Sequence, residues 1–232
     1  MKKTIMKDIN LIYLSNGIIM EEKDLDIIEK ENDKKRRRKR IIRFIVVTSI
    51  MSALSTVLYF LRFPLPFLFP GFLKIQFSTL PLLILGFLEG PVAGIIALTV
   101  KTLISLPFSN SAYIGEFADF VIGTCVILTA SLIYRVNKTK KGGIIALLFS
   151  SLAWILSGAI MNYFVLIPFY VNAFGLDAVV GMLSIIPNVN NDNYLGLYIL
   201  FANIPFNLLL SLVVNIVTYL TYKKISNIVK RE

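Results

Sequence analysis

The sequence contains no histidine and one cysteine. The first absence removes the commonest general base and the commonest ligand of zinc and other transition metals. The lone Cys125 stands in an apolar segment. It cannot form a disulfide within the chain, and a small buried or lipid-facing residue is the simplest account of it. Charge is scarce as well: 16% of the 232 residues are Asp, Glu, Lys or Arg, where a soluble domain carries about 25%. No G-x-x-x-x-G-K-S/T is present, so ATP is not bound through a P-loop. H-E-x-x-H and G-x-S-x-G are missing too. The sequence therefore predicts no catalytic residues, no metal and no cofactor.

What it has instead is apolar length. Hydrophobic residues make up 56% of the chain, and the mean hydropathy is +0.74. The Lys and Arg residues cluster before residue 44, in one central loop and near the C-terminus, and the stretches between are almost uncharged. This is the pattern of an all-α, polytopic protein of the cell membrane. The net charge of +10 does not point to nucleic acid, because the cations flank apolar spans, where they mark the cytoplasmic side and meet anionic lipid.

Residues 1–40 read as a basic cytoplasmic tail, partly helical around Glu21–Glu31, with neither a spanning stretch nor a signal-peptide pattern. A membrane domain is expected over 41–225, and 226–232 form a second cytoplasmic tail. Six transmembrane helices are expected: Ile41–Leu61, Ser78–Leu88, Val92–Leu106, Ile114–Val136, Ile144–Pro168 and Leu195–Tyr222. The break at Glu89-Gly90-Pro91 is a stop-and-restart signal. Six crossings put both termini and the basic loop Arg135–Lys141 in the cytoplasm, whereas one long second span would put that loop outside, against the positive-inside rule. The loop Arg62–Lys74 holds three prolines, so it is not a regular helix. Its apolar character predicts that it packs on the protein or dips into the membrane interface.

Ionisable residues at membrane depth are costly and are functional candidates. Lys101, Glu116 and Asp119 are such residues, with Glu116 and Asp119 on one helix face at i, i+3. Lys101 is expected to pair with one of them, either as a buried ion pair or in contact with a ligand. Asn162 and Asn207, in the last two spans, offer two amides that can clamp a flat polar heterocycle, with Tyr163, Phe164 and Phe206 near them to stack on it. The alternative is that each amide bonds to a helix backbone. Small residues repeat at Ser49-x-x-x-Ala53 and Ser52-x-x-x-Thr56, a spacing that serves either internal packing or docking of another subunit.

The order of several segments carries a resemblance. They are Leu73-Lys74-Ile75-Gln76-Phe77-Ser78-Thr79-Leu80-Pro81, Glu89-Gly90-Pro91-Val92-Ala93-Gly94 and Gly115-Glu116-Phe117-Ala118-Asp119-Phe120-Val121-Ile122-Gly123. Met161-Asn162-Tyr163, Ile167-Pro168-Phe169-Tyr170 and Ile204-Pro205-Phe206-Asn207 follow. Together, over about residues 41–225, these resemble the substrate-binding S components of energy-coupling factor (ECF) vitamin transporters, and among them the riboflavin-specific RibU type. The resemblance implies a vitamin pocket near the external helix ends, covered by the first loop, here with Phe72 and Leu73. It implies that Asn162 and Asn207 hold a flavin ring, and that Ser49 and Ala53 face the coupling protein. The implied partners are the transmembrane coupling protein EcfT and two cytoplasmic ATPases. Leu210 stands where that type often has a lysine. A different flavin or another aromatic vitamin stays open as substrate, and a lipid-acting membrane enzyme or assembly factor is the alternative from another class.

Overall fold

The computed structural model describes residues 4–6, 11–13 and 19–229, with side chains from 26 to 222. Two compact units are distinguished, residues 1–46 and 47–232. In the first, three short strands pair antiparallel: β1 (Thr4–Met6), β2 (Leu11–Tyr13) and β3 (Ile19–Glu21). The sequence reading did not anticipate them. The helix α1 then runs from Glu22 to Phe60. The boundary expected at residue 40 lies inside this helix.

The second unit is helical. The first loop folds back on itself through β4 (Phe63–Pro64) and β5 (Lys74–Ile75), paired antiparallel with Phe63 opposite Ile75. Phe69 and Ile75 are buried, so the loop packs on the protein, while Phe67 and Leu68 at its tip are exposed. α2 (Thr79–Glu89) and α3 (Pro91–Ser105) fall within one residue of the expected bounds. Gly90 joins them at φ +95° and ψ 177°. That backbone region is open almost only to glycine. Pro91 then starts α3 with its φ already set and no N–H to satisfy.

α2 has 11 residues, about 16 Å at 1.5 Å per residue, well short of the roughly 30 Å hydrocarbon core. Its neighbours shield it. It packs among α3, α4 (Ile114–Val136) and α9 (Ile204–Val229), with Leu82, Leu83 and Leu85 fully buried. Among the described residues, five other helical stretches are long and apolar enough to cross a membrane. Each leaves a broad apolar face exposed, including Ile50, Leu54 and Val57 of α1 and Leu148, Leu152 and Leu156 of α5 (Lys140–Met161). A face of that kind suits lipid.

The last two long stretches share a feature. After α5 comes one π turn, Asn162–Leu166, and then α6 (Ile167–Phe174). α7 (Leu176–Met182) follows, and α8 (Tyr194–Tyr198) leads through a second π turn, Ile199–Asn203, into α9. Each π turn stops just before an Ile-Pro pair, Ile167-Pro168 or Ile204-Pro205. A proline within a helix lacks the N–H for the i−4 carbonyl and crowds that carbonyl with its ring, so the preceding turn widens. Phe169–Tyr194, between the fifth and sixth expected spans, contains helix. Its Val179, Leu183 and Ile186 form a cluster with Ile167, Tyr198 and Ala202 of the flanking stretches.

Candidate functional site

A cavity of about 440 Å³ lies at the end of the helices that the charge pattern places outside. Its walls come from the end of α1 (Tyr59), the first loop (Arg62, Gly71 to Lys74 and Gln76) and one face of α4 (Gly115, Ala118, Asp119, Ile122, Gly123 and Val126). α5 contributes Trp154, the π turn after it Asn162 and Leu166, α6 Tyr170, and α9 Phe206, Asn207 and Leu210. The exposed Asn110 stands at the rim. The volume falls within the roughly 300–1,000 Å³ common for small-molecule sites.

The two amides meet here. Asn162 is 5% exposed and Asn207 is 6% exposed. Asn162 Nδ2 donates to the Gly158 carbonyl (2.8 Å), and its Oδ1 accepts from the Tyr198 hydroxyl (2.6 Å). Asn207 Nδ2 donates to the Asn203 carbonyl (2.9 Å). Each amide thus bonds to its own helix one turn back and still borders the cavity. An amide nitrogen has two hydrogens and its oxygen two lone pairs, so both keep capacity for a ligand. Gly158 makes room for this arrangement. A Cβ there would lie 2.9 Å from Asn207 Nδ2.

Another part of the cavity wall is backed by charge. Lys101 is 1% exposed and bonds Asp119 Oδ2, while Gln76 Nε2 donates to Asp119 Oδ1 (2.6 Å). Glu116, 2% exposed, accepts from Tyr59 (2.8 Å) at Oε1 and from Ser111 (3.0 Å) and Ser109 at Oε2. Arg62 pairs with Glu116 at 3.8 Å and lies over the Tyr59 ring, 4.3 Å from its centroid. Two cations therefore face two carboxylates. Buried charges persist only when paired and hydrogen-bonded, and this network ties α1, the first loop, α3 and α4 together.

The sequence profile described as ECF transporter, substrate-specific component, matches residues 43–222. The chain belongs to this family. It is 36% identical to the riboflavin transporter RibU of Staphylococcus aureus (strain TCH60) over 187 residues, 81% of this chain and 92% of that one. It is 28% identical to the riboflavin transporter FmnP of Bacillus subtilis (strain 168), over 79% of this chain and 92% of the relative. A solved S component of a bacterial ECF transporter superposes with a TM-score of 0.63 at 34% identity, covering 81% of this chain and 97% of the other. The protein is thus a multi-pass S component of the cell membrane that works with an ECF transporter module.

The residues expected at the site of this S component divide into three groups. Asn162, Asn207, Phe206, Phe72, Leu73 and Asp119 line the cavity. Lys101 and Glu116 stand behind the wall and hold groups that line it, namely Asp119, Arg62 and Tyr59. Tyr163 is outside the cavity wall. It is 45% exposed and meets Phe164 edge-on at 4.8 Å. The reason is geometric: successive helical residues point about 100° apart, so the neighbour of an inward-facing Asn162 faces away. Ser49 and Ala53 are exposed, whereas Ser52 and Thr56 on the adjoining face are buried.

Sequence reasoning missed Trp154, Gly158, Tyr170, Tyr59, Arg62 and Gln76. A signal for two of them was available. Trp154, Gly158 and Asn162 recur every fourth residue, as do the buried Asn203, Asn207, Ser211 and Asn215 on the facing stretch. These are the facing stripes of α5 and α9, and Asn215 Nδ2 bonds Ser151 Oγ (2.7 Å) and the Leu147 carbonyl (2.9 Å) across them.

Proposed function

We propose that this S component captures riboflavin from outside the cell and passes it to the cytoplasm through the coupling protein EcfT and two ECF ATPases. The observation that carries the reading is the convergence of Asn162 and Asn207 on one cavity beside Trp154, Phe206 and Tyr170. A flat ring with edge donors and acceptors fits between amides and aromatic faces. The polyhydroxyl chain of the vitamin suits the polar groups that Gln76, Asp119, Ser111 and Asn110 add to the cavity wall. The riboflavin transporters among its relatives support the same substrate.

The chain has no P-loop sequence, so the energy for transport comes from the ATPase partners. Ser49 and Ala53 expose small side chains on α1 and are the proposed contact for the coupling protein, since small residues let another helix approach closely. Phe72 and Leu73 bring the first loop over the cavity.

Titration of the purified protein with riboflavin, followed by flavin fluorescence, tests the reading. Saturable quenching at one flavin per chain is expected. A flavin that stays fully fluorescent in the presence of folded protein refutes it. A parallel titration with other aromatic vitamins identifies the cargo in that case.

A further inference from the structure

The helix α1 carries a charge pattern that vitamin capture does not use. Residues 26–33 include Asp26, Glu29, Glu31 and Asp33 against a single Lys30. The uninterrupted cationic run Lys34–Arg40 follows, and Ile41 and Ile42 then open the apolar stretch. Every residue of the run is exposed, and Ile41 and Ile42 are each 50% exposed.

Successive residues of an α-helix turn by about 100° and rise about 1.5 Å. Seven in a row leave no gap wider than about 60° around the axis and extend roughly 9 Å along it. The run is therefore a collar and not a stripe. A helix lying in the plane of a membrane surface puts its cations on one side and apolar residues on the other. A collar suits a helix that crosses the headgroup layer end-on, a layer roughly 5–8 Å deep on each side of the bilayer. The acidic residues Asp26, Glu29, Glu31 and Asp33 precede the collar, on its far side from the apolar stretch.

We infer that Lys34–Arg40 is a binding site for anionic phospholipid, a cationic collar that gathers negatively charged headgroups where α1 enters the bilayer. The direct passage from Arg40 to the exposed Ile41 and Ile42 sets the collar at the boundary between headgroup and acyl chain. A nucleic-acid phosphate would not lie there. Point charge is sufficient for this recognition, so Lys and Arg are equivalent in it.

The test uses the full chain in bilayers of phosphatidylcholine with a minor share of phosphatidylglycerol. The lipid that stays bound after detergent extraction is quantified by mass spectrometry. The wild-type protein should retain phosphatidylglycerol several-fold above its bulk share, and the excess should collapse when extraction is done at about 1 M salt, where screening acts within roughly 3 Å. K34Q/R36Q/R38Q/R40Q should lose most of the excess, and R36K/R37K/R38K/R40K should keep it. Arg135, Lys138, Lys140 and Lys141 are unchanged in both variants and set the residual level. Neither variant touches the cavity, so ligand binding in each reports correct folding. Bulk lipid composition around the wild-type protein, an excess indifferent to salt, or an excess retained by the glutamine variant would each overturn the proposal. So would salt-sensitive binding of an RNA oligomer by a chain whose retained lipid has the bulk composition.

Discussion

Asn162 and Asn207 differ in what else they hold. Asn162 is the acceptor for the fully buried Tyr198 hydroxyl, whereas Asn207 bonds only to the carbonyl one turn back among the described residues. Asn207→Ala should therefore weaken flavin binding by about 1–3 kcal/mol with little change in thermal unfolding. Asn162→Ala should weaken binding to a similar degree and also lower the unfolding temperature, because the buried Tyr198 hydroxyl loses its 2.6 Å acceptor. Titration and melting curves on both variants check the difference. Asp119→Asn is a separate case. Lys101 is 1% exposed, and removing its counter-charge should destabilise the fold by about 3–5 kcal/mol. Asp119→Asn combined with Lys101→Met should recover most of the loss, as read by thermal unfolding.

Helix lengths and helix faces carry the next level. The break between α2 and α3 was legible in Glu89-Gly90-Pro91 because a glycine-proline pair is local chemistry. So were the amide pair and the Lys101 ion pair, since a polar group among apolar neighbours must find a partner. Arg62 and Tyr59 were not legible as site residues. Their partner Glu116 stands at the start of α4, more than fifty residues on, and meets them through the fold, which no local pattern encodes. The π turns escaped for a related reason: Pro168 and Pro205 announce a disturbance but not which way the chain resolves it. On α1 the two small-residue repeats lie on adjoining faces, Ser49 and Ala53 exposed and Ser52 and Thr56 buried. Bulky Ser49→Leu or Ala53→Leu should leave riboflavin affinity unchanged and reduce uptake by the assembled transporter. Ser52→Leu, at a position 4% exposed, should instead lower stability by about 1–3 kcal/mol. Vesicle uptake measured beside binding and unfolding separates the two.

At the scale of the molecule, the charge bias along the chain fixes which end of the membrane domain faces out, and the cavity lies at that end. Single cysteines on a Cys125→Ser background make this measurable. Asn110→Cys should react with a membrane-impermeant maleimide on intact cells, and Lys138→Cys only after permeabilisation. Both positions are exposed, so accessibility alone does not decide the result. Reversed labelling would place the cavity on the cytoplasmic side and end the capture account. The buried aromatic contacts of the first loop reach further than packing. Phe69 meets the cavity-wall residue Phe206 edge-on at 5.2 Å, a kind of contact worth about 0.5–1.5 kcal/mol. The contact fastens to α9 a loop whose Phe72 and Leu73 line the cavity. Loosening that fastening with Phe69→Leu should speed departure of a bound cargo roughly two- to twelve-fold while arrival proceeds at its former pace, as stopped-flow fluorescence would read.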